Sequence, residues 1–125
     1  MDPLGCDGCF GMPDAAAAWA AVRTFPRVVD LIEESHYSVR VLACPRCGTH
    51  CVSVFAERID WVNGEDPQST WAMALTAAES EAIRGNPGRV GEFGAGRRCL
   101  RMEYPAGADK KQFWETGPIR VGPHD

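Results

Sequence analysis

Two cysteine pairs with identical spacing, Cys6-x2-Cys9 and Cys44-x2-Cys47, lie 34 residues apart and constrain this chain more than any other feature. Two residues between thiolates let one tight turn direct both sulfurs, and the turn's own amides, at a single ion. Two such turns supply the four sulfurs that Zn²⁺ accepts in a closed structural site. In Cys44-Pro45-Arg46-Cys47-Gly48 the proline pre-sets the turn and the glycine can take a positive φ after the second sulfur, which is the form of a zinc knuckle. Gly8 and Gly11 are expected to give the first pair similar freedom. The separation is longer than the roughly 15 to 20 residues of the commonest four-cysteine ribbon, and an intervening helix accounts for the excess. The expectation is therefore a structural Zn-Cys₄ site of Cys6, Cys9, Cys44 and Cys47. Cys51 is the main rival ligand, being close enough to Cys47 to share a site, and His50 is a weaker one. Cys51 and Cys99 otherwise read as buried small hydrophobes. A closed tetrahedron leaves no open coordination position, so the ion is not expected to be catalytic. A thioredoxin-like redox role needs a strand leading into a helix, whereas Val52, Val54 and Phe55 after the second pair read as strand.

The remaining totals narrow the class. At 125 residues the chain is the size of one domain, small enough to profit from a metal staple. A hydrophobic share of 45%, with four Trp and five Phe, supplies the apolar area that a disordered chain lacks. Seventeen acidic against thirteen basic residues give a net charge of −4, to which a Zn-Cys₄ centre would add about two negative charges. That balance opposes a phosphate-binding surface. The opening MDPLGCDGCFGMP has neither a basic nor an apolar leader region, and AAAAWAAV is too short to cross a bilayer. The expected compartment is a reducing cytoplasm, where six cysteines are better explained by metal than by disulfides.

Along the chain, Asp14 reads as the N-cap of an alanine-rich helix over about residues 14 to 24, ended by Pro26. RVVDLIEES is compatible with a short helix or an extended segment. HYSVRVLAC and HCVSVFAERID both alternate with the period of a half-buried strand, so CPRCGT between them is a hairpin turn that carries the cysteines. STWAMALT reads as a third strand. Thr76-x-x-Glu79 is a capping box opening a helix through Ile83, with Gly85 at its C′ position. Five glycines and a proline make 85 to 96 a flexible surface loop. RCLRMEY, 98 to 104, and a segment from Phe113 to Val121 supply further strands, the last at an edge. The predicted fold is a single α+β domain over 1 to 125: a small antiparallel sheet with the Cys₄ site at one end, one N-terminal helix and one short second helix.

An active site is harder to find. His36 reads as a surface or hydrogen-bonded histidine. Glu57, Asp60, Glu65 and Asp66 gather carboxylates around Trp61 without a histidine or nucleophile beside them, so no enzyme is expected. Arg97, Arg98 and Arg101, and the Lys110-Lys111 pair, read as ordinary charge on an acidic protein. Trp61, Trp71 and Trp114 read as packing residues before base-stacking platforms.

The block CPRCGTHCVSVFAERIDWVNGEDPQ, 44 to 68, resembles a group of small bacterial proteins in which a C-x2-C-G knuckle runs into a strand, an acidic residue, an I-D-W triplet and a G-x-D-P-Q turn. Here these are Glu57, Ile59-Asp60-Trp61 and Gly64 to Gln68. Proteins of that group are similar to immunity factors that neutralise toxins delivered between competing bacteria. The resemblance implies a protein partner, a cognate toxin, bound stoichiometrically through an acidic face. Glu57, Asp60, Glu65 and Asp66 would supply steering charge, and Trp61 and Trp71 aromatic anchors. The alternative is a zinc-ribbon adaptor or regulator contacting nucleic acid or the transcription or translation machinery, which the acidic charge disfavours.

Overall fold

The computed structural model describes residues 4–57, 67–104 and 109–120. It contains six strands, β1 (Arg27–Glu33), β2 (Tyr37–Ala43), β3 (His50–Glu57), β4 (Gln68–Ala74), β5 (Arg98–Tyr104) and β6 (Lys111–Thr116), with two α-helices, α1 (Ala15–Val22) and α2 (Ala77–Gly85). The strands form one antiparallel meander in the order β1-β2-β3-β4-β5-β6. The α+β class expected from the sequence is the class found.

The register explains how the sheet divides the core. Val39 opposes Val54 and Val41 opposes Val52, then Val52 opposes Met73 and Val54 opposes Trp71. Side chains alternate across a sheet, so these residues share one face. That face packs with Ile83 of α2, Val90 and Ile119, all 3% exposed or less. Leu42 and Cys51, which oppose each other, lie on the other face with Ala72, Ala74 and Leu100. There they meet Ala15, Ala18, Trp19 and Val22 of α1. The sheet is thus a middle layer with α1 and the N-terminal arm on one side and α2 on the other.

Both helices start as their caps dictate. Asp14 accepts from the Ala17 amide at 3.1 Å, and the Thr76–Glu79 capping box is complete, at 3.1 and 2.8 Å. The end of α2 differs from expectation. Gly85 is its last helical residue, and the chain leaves the helix at Asn86, whose φ of −154° is extended backbone. The segment 85 to 96, read from composition as a flexible loop, contains a 3-10 helix (Pro87–Glu92) capped by Asn86 and anchored by Val90. Val90 and Phe93 pack against the same core cluster, and Gly94 lies close against Met73, which together hold the segment on the sheet. RVVDLIEES is extended: it forms the edge strand β1, with register shifts after Arg27 and after Asp30 that blur its alternation. At the opposite edge, β6 starts two residues before Phe113.

Candidate metal centre

The two cysteine pairs meet at one end of the sheet. The β2–β3 turn is closed by the Cys44 amide donating to Thr49 O (3.0 Å) and the Gly48 amide donating to Cys44 O (2.8 Å). Gly48 adopts φ +75°, as the knuckle reading requires. The N-terminal turn is built in the same way, with the Cys9 and Gly11 amides donating to Cys6 O at 3.0 and 2.9 Å. Here the positive φ falls at Gly5 (+92°), and neither Gly8 nor Gly11 has one. A Cβ on Gly5 would stand 3.0 Å from Cys9 Sγ, so the glycine directly before the first cysteine is part of the site.

These turns place Cys6, Cys9, Cys44 and Cys47 Sγ within 4.8 Å of one another. Cys6 Sγ lies 3.8 Å from both Cys9 Sγ and Cys44 Sγ, and Cys9 Sγ lies 3.9 Å from Cys47 Sγ. A disulfide requires about 2.05 Å, and all six cysteines are free. A tetrahedron of sulfurs, each about 2.3 Å from a central ion, has edges of about 3.8 Å. The sulfur group therefore has the dimensions of a four-coordinate metal site. Backbone amides point at it as well: Gly8 N donates to Cys6 Sγ (3.4 Å) and Cys6 N to Cys9 Sγ (3.2 Å), stabilising thiolate charge.

The thiols differ in their electrostatics. Burial pushes the Cys9 thiol up to about 12. At Cys6 the Gly8 amide favours the thiolate, but desolvation and the Cys47 and Cys44 sulfurs outweigh it and the value rises. Cys47 is the exception. Burial works against its thiolate, yet the Thr49 hydroxyl, 3.2 Å away, and amide, with the Cys44 and Cys6 thiols, bring it down to about 7. Four thiolates this close repel, and only a cation among them lets all four ionise. Cys9 and Cys44 are buried, Cys6 is half-buried and Cys47 is exposed, so the sulfur group opens to solvent on the Cys47 side.

Cys51 stands next to the centre without joining it. It is fully buried on β3, its sulfur is outside the four-sulfur group, and burial followed by the Cys9 and Cys44 thiols pushes it up to about 12. Cys99 is also fully buried, on the opposite face of the sheet, where burial raises it to about 12. His50 turns away to Ser80, its Nδ1 2.8 Å from the hydroxyl.

The arm that carries the first pair is held down by contacts not read from the sequence. Arg98 on β5 donates to Phe10 O (3.0 Å) and Met12 O (2.9 Å), and its guanidinium lies 3.7 Å from the Trp114 ring. Trp114 in turn donates to Pro13 O at 3.1 Å and meets the Phe10 ring edge-on. The three arginines of the 97 to 101 cluster are all engaged within the fold. Arg98 latches the arm, Arg97 forks onto Glu79 (2.7 and 3.2 Å), and Arg101 pairs with Glu103 and Glu115. The sequence reads them as ordinary charge; instead each ties parts of the fold together, and strand alternation sends Arg98 and Arg101 to opposite faces.

The same parity divides the residues assigned to partner binding. Glu57 opposes Gln68 and Trp71 opposes Val54, so Glu57 and Trp71 project from opposite faces of the sheet and do not form one surface. Trp71 is a core residue, 7% exposed, whose indole donates to Glu115 at 3.1 Å. Glu57 accepts from Gln68 (2.8 Å) and lies 2.7 Å from His36 Nδ1, contacts that hold its carboxyl below the ordinary range, Gln68 foremost. Asp60, Trp61, Glu65 and Asp66 lie outside the described residues. Among the described residues no helix is long and apolar enough to cross a membrane. Comparison with protein-family models, with curated proteins and with solved structures finds no match.

Proposed function

We propose that Cys6, Cys9, Cys44 and Cys47 hold one structural Zn²⁺, and that the protein is a cytoplasmic binding protein. On this reading it acts by occupying a protein partner, in the manner of an immunity protein that neutralises a bacterial toxin. The observation that carries the metal assignment is the convergence of the four sulfurs within 4.8 Å of one another, with three of their separations at 3.8 to 3.9 Å. Soft thiolates in a tetrahedron select zinc over the hard cations Mg²⁺ and Ca²⁺. The metal joins the N-terminal arm to the β2–β3 turn and so holds α1 on the sheet; with four protein ligands it has no position left for substrate.

The partner reading rests on the resemblance carried by residues 44 to 68 and on the net charge of −4. An acidic inhibitor is suited to a basic, nucleic-acid-handling active site, because opposite charge speeds encounter and disfavours wrong partners. With Trp71 in the core and Glu57 paired, the contact falls to Asp60, Trp61, Glu65 and Asp66. The strand ends that flank them, Glu57 and Gln68, lie at the end of the sheet away from the cysteines.

Affinity capture from the native host tests both halves. A 1:1 complex with the product of the neighbouring reading frame is expected, resistant to nuclease and weakened by Asp60→Lys with Asp66→Lys, together with one equivalent of zinc. Recovery of nucleic acid alone, with steep salt dependence, would exclude the immunity reading.

A further inference from the structure

None of the six cysteines is in a disulfide, and they differ in what can reach them. Cys9, Cys44, Cys51 and Cys99 are each 1% exposed or less, and Cys6 is half-buried. Cys47 alone is exposed. It lines a cleft of about 470 Å³ between the β2–β3 turn and the start of α2, together with Leu4, Thr49, Leu75, Ala77 and Arg84. Among the described residues no other cysteine lines that cleft, so a small reagent has room to stand against this sulfur and no other.

Behind Cys47 stand three more sulfurs. Cys9 Sγ is 3.9 Å away, and the whole group lies within 4.8 Å. A disulfide bond is about 2.05 Å long, so a side-chain movement of about 2 Å closes one here. Thiol–disulfide exchange needs this arrangement: one sulfur reacts from solvent, and a neighbour in reach resolves the mixed disulfide that results. Reaction of the buried sulfurs first is blocked by their burial, because exposure selects which thiolate is attacked.

We propose that Cys47 is the site at which a low-molecular-weight disulfide oxidises the sulfur group and discharges its zinc. The inference rests on the metal reading and adds the regulation of that site. In the first step Cys47 Sγ attacks one sulfur of the reagent RSSR. The Cys47–SR bond forms, the reagent's S–S bond breaks, and RS⁻ leaves and takes a proton from water. In the second step a thiolate of Cys6, Cys9 or Cys44 attacks Cys47 Sγ, the Cys47–SR bond breaks, and the second RS⁻ leaves and is protonated in turn. Two cysteine thiolates have then given two electrons to one RSSR, which becomes two RSH. Only two thiolates of the group remain, too few for a closed four-sulfur zinc site. The link between the N-terminal arm and the β2–β3 turn therefore follows the redox state of the surroundings, and excess thiol reverses it.

The test uses the unaltered protein, purified under reducing conditions without chelator, freed of reductant and assayed first for zinc. Oxidised glutathione is added in excess beside a chromogenic zinc indicator, and samples quenched in acid over time are alkylated and mapped by peptide mass spectrometry. The first adduct is expected on Cys47. It should give way to a disulfide from Cys47 to Cys6, Cys9 or Cys44, with one zinc released for each disulfide formed. Dithiothreitol with added zinc should restore the starting mass and metal content. A first adduct on any other cysteine overturns the proposal, as does a Cys47 adduct that never closes or zinc retained through the reaction. Protein that carries no zinc at the outset contradicts the metal reading and removes this inference with it. Zinc-loaded protein whose Cys47 resists the reagent overturns this inference alone.

Discussion

The two faces of the sheet are covered by helices of similar length held in different ways. On one side α2 begins in a complete capping box, is tied by Arg97 to Glu79 and to the Ala74 carbonyl, and buries Ile83 among valines. On the other, α1 is an alanine-rich helix whose buried residues are Ala15, Ala18, Trp19 and Val22. Apart from Trp19 its side chains are small, and the segment before it is held by Arg98, by Trp114 and by the convergence of its two cysteines with those of the β2–β3 turn. Aliphatic packing is non-directional and supplied by many residues, so it degrades gradually. A metal centre is supplied by four residues and fails as a unit.

The sharpest way to break this contrast is at Cys44. Cys44→Ser should remove the metal and with it binding free energy on the order of 10 kcal/mol. Hydrogen exchange should then rise in α1 and the N-terminal arm before it rises in α2. Equal loss of protection on both faces would mean that the metal does not act on one side. Ile83→Ala attacks the other face; it should cost about 2 to 5 kcal/mol in urea unfolding while leaving metal content unchanged.

A smaller effect sharpens the α2 side. Burial alone would raise Glu79, but the Arg97 fork and the Thr76 amide outweigh it and hold its carboxyl below the ordinary value of 4.5. A depressed carboxyl adds stability above its unfolded pKa and loses it as pH falls through the folded one. Arg97→Met should therefore cost about 1.5 to 2 kcal/mol at neutral pH, and the gap to the unaltered protein should close as the pH drops below 4.5. A gap that widens in acid would contradict this assignment. The smallest effect is expected at Cys51. Cys51→Ala should keep the full metal content and cost roughly 1 kcal/mol for a small cavity; loss of metal would make Cys51 a ligand after all.

Where side-chain periodicity was clean, the sequence was a good guide. Val39, Val41, Val52 and Val54 alternate without interruption, and the hairpin they predict delivers Cys44 and Cys47 to its turn. The spacing of the cysteines then identified all four members of the sulfur group. Signals failed where composition and tertiary contact disagree. The glycines of 85 to 96 masked Val90, whose burial depends on a sheet distant in sequence. Edge strand β1 was ambiguous because its register shifts spread partial burial over both parities. Grouping Glu57 with Trp71 on one surface overlooked strand parity, which decides the face a side chain takes. The Arg98 latch joins residues 86 and 88 positions apart, a relation that no local pattern carries.

X-ray absorption at the zinc edge, on protein purified under reducing conditions without chelator, addresses the centre directly. One equivalent of zinc with four sulfur neighbours at about 2.3 Å and no nitrogen or oxygen in the first shell is the predicted result. A shell containing nitrogen or oxygen, or a folded protein with no metal to measure, would contradict the account.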